Sequence, residues 1–267
     1  MTWGAKNPPL DPTVSFSGKT VLVTGCNTGL GFEAALKYSS LGADKLILAV
    51  RSVQKGEDTK ARILAKTGRD PSSISYLLVD LSTFASVQQF AIALEKEVAE
   101  TGGLDIALFS AGVSPPKYAT GPDGHEMAVQ VNILSTTYMA ELVFPLLLST
   151  AQKKGRANLT FVNSNGNDMV ERKWFDGYSG GLLQWADDPK TWNAMRSYTT
   201  VKLIGLAAMM DLAKRTAGQG VVVNAVCPGM CKTDLGRDFP WVQRVLMGVA
   251  SNFISRTAEE GGRSLDE

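Results

Sequence analysis

The chain has 267 residues, a formal net charge of +1 and 44% hydrophobic residues, enough for one α/β domain with a full core. The small net charge gives no reason to expect nucleic acid or an anionic membrane as a partner. Three cysteines argue against a disulfide framework, and a cytoplasmic protein is expected. Residues 1–17 form an N-terminal extension without a signal-peptide core. No stretch is predicted to span a membrane, since the apolar run 143–148 is short and contains Pro145.

The first predicted unit is a strand, a glycine-rich turn and a helix. Residues 19–23 form a β-branched apolar run, and residues 32–38 show apolar residues at helical spacing. In this context glycines let the backbone approach a pyrophosphate, which binds the amides at the helix N-terminus. A lone glycine cluster could be only a turn, but here cofactor binding is favoured. The candidate cofactor-binding residues of this turn are Gly25, Asn27, Thr28, Gly29, Leu30 and Gly31.

Strands and helices alternate along the rest of the chain. Six strands are predicted in all, at residues 19–23, 45–50, 74–79, 104–109, 158–162 and 220–226. The longer helices are predicted at residues 53–66, 84–100, 125–149 (bent near Pro145) and up to about residue 216 around Tyr198. This alternation predicts a single Rossmann-like, doubly wound parallel sheet with helices on both faces. Ligands of such sheets bind beyond the carboxyl ends of the strands.

The end of the second strand bears on the choice of cofactor. An NAD enzyme usually places a carboxylate there to bind the adenosine ribose hydroxyls. This chain has Val50 followed by Arg51. An arginine suits a 2′-phosphate through its charge and paired donors, so NADP(H) is predicted over NAD(H). The alternative for Arg51 is a solvated loop charge.

Tyr198 and Lys202 are four residues apart and lie on one face if the segment is helical. A neighbouring ammonium favours the phenolate and lowers the pKa of the tyrosine, which makes it a usable general acid or base. Alone, the pair could equally be an exposed i,i+4 contact. His125 is the one histidine in the sequence, and no Gly-x-Ser-x-Gly elbow follows a strand. A serine–histidine–acid hydrolase is therefore not predicted. Cys227 and Cys231 lack a ligand cluster, so no metal site is predicted.

Taken in order, these motifs resemble those of the short-chain dehydrogenase/reductase family over nearly the full length of the chain. Residues 24–31 resemble its Thr-Gly-x-x-x-Gly-x-Gly turn, and Tyr198 with Lys202 its Tyr-x-x-x-Lys motif. Further residues that match family motifs are Asp80 and Leu81, Ala111 and Gly112, Asn132, Ser164, and Pro228 and Gly229 with Thr233. Ser110, also a candidate cofactor-binding residue, departs from the pattern, because the family usually has an asparagine there. The finer sequence is similar to the retinol-dehydrogenase and protochlorophyllide-reductase-like branch. Its fungal members often act in secondary-metabolite pathways.

The resemblance implies hydride transfer between NADP(H) and a small to medium apolar ketone or secondary alcohol. Tyr198 would be the acid or base, and Ser164 would hydrogen-bond the same substrate oxygen. Lys202 would lower the pKa of Tyr198 and bind the nicotinamide ribose, while Asn132 would hold a water leading to solvent. Taken singly, Asn132 could be a helix polar residue and Ser164 a strand-end cap. The other matched residues would bind the cofactor, and a homodimer is plausible by analogy.

Two parts of the chain leave alternatives open. The family pattern usually adds a further strand after the region of residues 256–261, so the sheet is expected to lack its usual last strand. A catalytically impaired NADP(H)-binding sensor is therefore a second hypothesis, and an epimerase or dehydratase a weaker third. Residues 165–197 form an inserted loop with five large aromatic residues. They form either a lid over an apolar substrate or a scaffold contact, and Met230, Phe239, Pro240 and Trp241 are candidates for the opposite wall.

Overall fold

The computed structural model describes residues 7–232, 235, 239 and 255–265 of the chain. Its centre is a parallel sheet in the order β3-β2-β1-β4-β5-β6. The strands are β1 (Thr20–Thr24), β2 (Lys45–Val50), β3 (Ile74–Leu78), β4 (Ile106–Phe109), β5 (Ala157–Val162) and β6 (Val221–Val226). The strand order reverses between β1 and β4, which defines a doubly wound sheet. The predicted fold class is confirmed, and across the described residues the sheet ends at β6.

Helices cover both faces of this sheet. They are α1 (Gly29–Ser40), α2 (Val53–Thr67), α3 (Phe84–Thr101), α4 (Met127–Lys154), α5 (Leu182–Asp187), α6 (Ala194–Arg215) and α7 (Ala258–Gly262). Alternate strand residues supply the two cores. Leu22 and Ile47 pack into the core that contains residues of α3 and α4, whereas Val21 and Leu46 pack into the one under α1 and α2. This explains why the strands are apolar runs without a polar face.

The helix bounds follow from local signals in the sequence. The Ser52 hydroxyl caps α2 by accepting from Lys55 N, and the Thr83 hydroxyl caps α3 by accepting from Ser86 N. Both helices end at a glycine in the left-handed region, Gly68 at φ 64° and Gly102 at φ 81°. A residue with a Cβ rarely adopts that conformation, so glycine stops these helices.

Helix α4 differs from its prediction in two ways. It begins at Met127 and not at His125, because the Glu126 carboxylate caps it by accepting from Ala128 N (2.8 Å) and Val129 N (2.9 Å). Its irregular part is a π-helical stretch, Gln130–Ser135, while the segment Thr136–Lys154 continues as α-helix through Pro145. Such stretches often lie at functional sites.

The same helix is long and apolar. By length and composition alone Met127–Lys154 could cross a membrane, although the sequence predicts no such segment. Of its most apolar window, 44% is buried inside the domain. Met139, Val143 and Leu147 belong to the core between α4 and the sheet. The apolar character of α4 is therefore that of a core helix.

Candidate active site

The predicted motifs lie at one edge of the sheet. Thr24 of β1 is in register with Phe109 of β4, and Val162 of β5 with Val226 of β6. The segments that follow these residues therefore leave the sheet side by side. They carry the glycine turn, the Ser110–Gly112 motif, Ser164 and the Pro228–Gly229 motif.

The glycine turn packs tightly against the end of β4. Gly25 has φ 67°, and a Cβ at this position would lie 2.8 Å from the backbone of Ala111. A Cβ at Gly31 would lie 2.5 Å from the carbonyl oxygen of Gly25. The Thr24 hydroxyl oxygen accepts from both Ser110 N and Ala111 N at 3.1 Å. Only glycine fits at these two positions, and the turn is held in one conformation.

The start of α1 fits a dinucleotide pyrophosphate. Thr28 precedes the helix without a side-chain cap, and the first turn contains no acidic residue. The amide groups of that turn therefore have neither a capping side chain nor a competing carboxylate. An uncapped helix N-terminus of this kind binds anions through its N–H groups and its dipole.

The residues predicted for the adenosine end lie beyond β2 and β3. Arg51 is exposed directly after β2, and Leu81 is buried. The Asp80 carboxylate accepts from Ser82 N at 2.9 Å, so this side chain shapes its own turn. Cys26 in the glycine turn donates its thiol to the Ala49 carbonyl oxygen at 3.6 Å, which joins the turn to the end of β2.

Tyr198 and Lys202 lie one turn apart in α6. The helix begins after Asn193, whose side-chain oxygen accepts from Met195 N and Arg196 N at 3.2 Å. The Lys202 ammonium is 6.0 Å from the centre of the Tyr198 ring and donates to the Val162 carbonyl oxygen at 3.2 Å. Tyr198 hydrogen-bonds with Ser164. The structure thus brings three of the four predicted catalytic side chains together.

Asn163 fixes this arrangement, a role that its sequence position did not suggest. Its Nδ2 donates to the backbone carbonyl of Lys202 at 3.3 Å, and its Oδ1 accepts from Ser164 N at 2.8 Å. The Ser164 hydroxyl in turn accepts from Gly166 N at 3.1 Å. One amide side chain therefore connects the end of β5 to α6.

The electrostatics of the pair differ from the expectation that Lys202 lowers the pKa of Tyr198. Burial raises the pKa of the Tyr198 phenol, and the hydrogen bond with Ser164 partly opposes that rise. Burial also lowers the pKa of Lys202 to about 8. The physical reason is that low-dielectric surroundings disfavour both charged forms. The thiol of Cys227, which accepts from Asn165 N at 3.2 Å, is close enough to influence both groups.

Asn132 lies in the π-helical stretch of α4, across a cavity from α6. Its side chain forms two hydrogen bonds with the backbone of Val113: Oδ1 accepts from Val113 N at 2.9 Å, and Nδ2 donates to Val113 O at 2.8 Å. Its backbone carbonyl faces Gly205, where a Cβ would lie 3.8 Å away. Asn132, Lys202 and Gly205 all line this cavity. The backbone carbonyl of Asn132 therefore faces α6 and is open to hold a water, while its side chain holds the backbone of Val113.

The aromatic residues of segment 165–197 have two different environments. Trp185 is buried and contacts Phe175 edge-to-face at 4.8 Å, within a cluster that includes Val129 of α4 and Val201 of α6. Trp192, by contrast, lines a small cavity together with Tyr198. Most of the aromatic residues thus pack onto the scaffold, and Trp192 faces the catalytic side.

Polar contacts tie this segment to the loop before α4. The Asp187 carboxylate is 2.7 Å from His125 Nδ1 and accepts from the amide of Glu126. Burial raises the pKa of Glu126, and the Trp192 side chain hydrogen-bonds to its carboxyl group. The Trp192 and Tyr118 rings also lie edge-to-face, with their centres 6.5 Å apart. These contacts fix the orientation of Trp192 beside the cavity.

The loop after β6 is described in part. Gly229 has φ 77°, and the Pro228 carbonyl accepts from Arg256 Nη1 at 3.2 Å and from the Cys231 thiol at 3.4 Å. Met230 is exposed. The predicted cofactor ligand Thr233 and the proposed wall residues Pro240 and Trp241 lie outside the described residues.

A doubly wound sheet with a glycine turn after β1 is typical of dinucleotide-dependent oxidoreductases. Comparisons with known proteins narrow this class. A profile of the short chain dehydrogenase family matches residues 19–180. The short-chain dehydrogenase/reductase ffsI of Aspergillus flavipes is 40% identical over 265 residues, which cover 98% of this chain and 76% of the relative. This chain belongs to the short-chain dehydrogenase family and is an oxidoreductase.

Solved structures agree on the fold. The Pseudomonas aeruginosa RhlG/NADP active-site complex has a TM-score of 0.71 at 23% identity, and the match covers 96% of this chain and 92% of that chain. The 3-ketoacyl-(acyl-carrier-protein) reductase from Brucella melitensis complexed with NADH has a TM-score of 0.66 at 20% identity, and the match covers 92% of this chain and 88% of that chain. Because one contains NADP and the other NADH, the shared fold alone does not select between the two cofactors.

Proposed function

We propose that this protein interconverts a ketone and a secondary alcohol with NADP(H), using Tyr198 as the acid or base. The observation that carries the proposal is the convergence of Ser164, Tyr198 and Lys202 beside the glycine turn. A purely cofactor-binding sensor has no need of a serine hydrogen-bonded to an enclosed tyrosine. We extend the proposal to a place in secondary metabolism on the strength of the resemblance to fungal members of the family.

Each catalytic side chain has a distinct role in the reducing direction. When bound, the nicotinamide would supply the hydride for the carbonyl carbon. Tyr198 donates its proton to the substrate oxygen, and the Ser164 hydroxyl donates a hydrogen bond to the same oxygen as charge develops there. Asn163 keeps the serine and the helix in register, since it holds the amide of Ser164 and the carbonyl of Lys202. In the oxidising direction the proton moves back to Tyr198.

The remaining predicted residues are assigned to cofactor binding and proton supply. Lys202 would bind the nicotinamide ribose and, when charged, favour the phenolate of Tyr198. Asn132 would hold a water through its backbone carbonyl, because this carbonyl faces Gly205 across the cavity that both residues line. The other proposed cofactor ligands are Asp80, Leu81, Ser110, Ala111, Gly112, Pro228, Gly229 and Thr233.

The test is a substrate screen with both cofactors. The purified chain would be incubated with NADPH or NADH and a panel of linear, cyclic and aromatic ketones, and loss of the reduced cofactor would be followed. Turnover of at least one ketone faster with NADPH supports the proposal. Tight NADPH binding without turnover on any ketone, and without oxidation of the matching alcohols, would instead favour the sensor hypothesis.

Arg51→Asp is expected to reverse the cofactor preference. Arg51 is exposed beyond β2, and an aspartate there would repel a 2′-phosphate but accept from the ribose hydroxyls. We expect the Kd for NADPH to rise by about tenfold or more, as for the loss of a charge-assisted hydrogen bond. The Kd for NADH should fall or stay unchanged. Both would be measured by fluorescence titration, and an unchanged Kd for NADPH would remove Arg51 as the determinant.

Trp192→Ala is expected to raise KM for bulky ketones. Trp192 lines the cavity beside Tyr198, so its removal takes away apolar contact area from the substrate. An increase of about tenfold fits the loss of one large aromatic contact. The matched control is Trp174→Ala, because Trp174 stacks on Arg196 at 5.3 Å and packs onto the scaffold cluster. Equal KM values for the two variants would favour the scaffold interpretation of the whole segment.

A further inference from the structure

Arg62 of α2 reaches the glycine turn from outside the set of predicted cofactor residues. Its guanidinium carbon lies 3.8 Å from the centre of the Phe32 ring in α1. Its Nη1 donates to the Asn27 carbonyl oxygen at 2.9 Å. A guanidinium stacked on an aromatic face is held in place, so it loses little further freedom when it meets an anion. Arg62 is therefore a fixed positive charge beside the turn.

The turn that Arg62 contacts follows β1, the strand that pairs with β2, and Arg51 directly follows β2. Thr24 of β1 is in register with Ala49 of β2, and the Cys26 thiol donates to the Ala49 carbonyl. Asn27 and Arg51 each follow these paired positions closely in sequence. The carboxyl ends of these two neighbouring strands therefore lead to one arginine directly after β2 and to a second one fixed at the turn after β1.

Neither arginine forms an ion pair with a carboxylate in the part of the chain that the structure describes. Asp58, one turn before Arg62 on the same helix, accepts instead from Gln54 Nε2 at 2.9 Å. Both arginines are exposed. Two exposed guanidinium groups without an ion-pair partner among the described residues give this end of the sheet a positive charge that can attract a phosphate.

We propose that Arg62 is a second determinant of cofactor choice, supplying positive charge to the 2′-phosphate of NADP(H) together with Arg51. This inference rests on the proposed NADP(H) dependence. Arg62 acts at the adenosine end, so it discriminates between the phosphorylated and the unphosphorylated cofactor and takes no part in proton transfer. Its contact with Asn27 fixes the charge at the turn.

The test compares nucleotide binding by variants of Arg62. The Kd values of NADPH, NADH and 2′,5′-ADP would be measured by titration calorimetry for the wild type, Arg62→Gln and Arg62→Lys. We expect Arg62→Gln to weaken NADPH and 2′,5′-ADP by about tenfold and to leave NADH unchanged. Arg62→Lys, which keeps the charge, should fall between the wild type and Arg62→Gln. The salt dependence of NADPH binding should also become shallower in Arg62→Gln.

Lys66→Gln is the matched control. Lys66 lies one turn further along α2, and its ammonium is 5.7 Å from the same Phe32 ring. Removal of its charge should change none of the three Kd values by more than about twofold, as expected for a more distant, screened charge. If Lys66→Gln loses as much NADPH affinity as Arg62→Gln, the effect comes from the overall positive charge of α2. The specific role of Arg62 would then be overturned.

Three further outcomes separate this inference from the proposed function. If Arg62→Gln weakens NADPH and NADH equally, Arg62 only positions the turn and the inference is wrong, while the proposed function stands. If the wild type binds NADH as tightly as NADPH, the NADP(H) preference itself fails and the inference fails with it. An unchanged NADPH preference in Arg62→Gln overturns the role of Arg62 alone.

Discussion

The Tyr198→Phe variant is expected to reduce carbonyl turnover by about 10²- to 10⁴-fold, the usual contribution of a positioned general acid. Phenylalanine keeps the ring and removes only the hydroxyl group that hydrogen-bonds with Ser164. The Kd for NADPH should therefore change by less than about threefold, because the ring and its packing remain. The measurements are kcat with the best ketone of the substrate screen and the Kd for NADPH by fluorescence titration.

The pH profile gives the same prediction a second readout. Burial raises the pKa of Tyr198, so the phenol keeps its proton to more alkaline pH than a free tyrosine. Ketone reduction needs the protonated form and should fall as the pH rises through that value, whereas alcohol oxidation should rise. Tyr76→Phe is the control, because Tyr76 on β3 hydrogen-bonds to Glu57 far from the site. Full activity of Tyr198→Phe would rule out the proposed mechanism.

The Lys202→Met variant is expected to be inactive and more stable than the wild type at pH 7. Burial lowers the pKa of Lys202 to about 8, so a charged lysine there opposes folding at neutral pH by up to about 3 kcal/mol. Methionine has a similar length and removes this cost. The variant also loses the hydrogen bond to the Val162 carbonyl, and this loss offsets about 1 kcal/mol of the gain in stability. We expect a net gain of about 1 to 3 kcal/mol in the free energy of unfolding.

The sign of the pH dependence distinguishes this explanation from better packing alone. Between the pKa of about 8 in the folded protein and the higher value of the unfolded chain, the unfolded state binds more protons. Wild-type stability should therefore rise with pH across that window, and the advantage of Lys202→Met should shrink. Urea unfolding at pH 7 and near pH 10 would measure this. Lys214→Met, at an exposed position of the same helix, should change stability by less than about 0.5 kcal/mol.

The sheet was predictable because its signals are local. The apolar run of β2 has the bounds 45–50 in both prediction and structure, and the ends of α2 and α3 follow from a hydroxyl cap and a glycine. The sequence predicts a start of α4 that is two residues too early, because the capping residue Glu126 lies inside an apparently helical run.

The parts of the site that escaped prediction depend on contacts between distant residues. Asn163 holds the carbonyl of a residue 39 positions away, and Asn132 uses its side chain on Val113, 19 positions away. The direction in which the pKa of Tyr198 moves depends on desolvation, which only the folded surroundings reveal. Trp185 and Trp192 look alike in the sequence, and their different environments follow from the packing of α5 and α6.

The hydrogen bonds of Asn163 also bear on how this protein could acquire new substrates. The segment 165–197 begins next to Ser164 and ends next to Tyr198, and the Asn163 side chain ties the strand end at Ser164 to α6. Insertions in such a closed loop cost little closure entropy, about 0.6 kcal/mol for each doubling of its length. The reacting groups therefore keep their spacing while the intervening segment varies. In evolution or in the laboratory, the exposed stretch 179–184 could change in length, while buried Trp185 and the Asn193 cap keep the rest of the segment on α4 and α6.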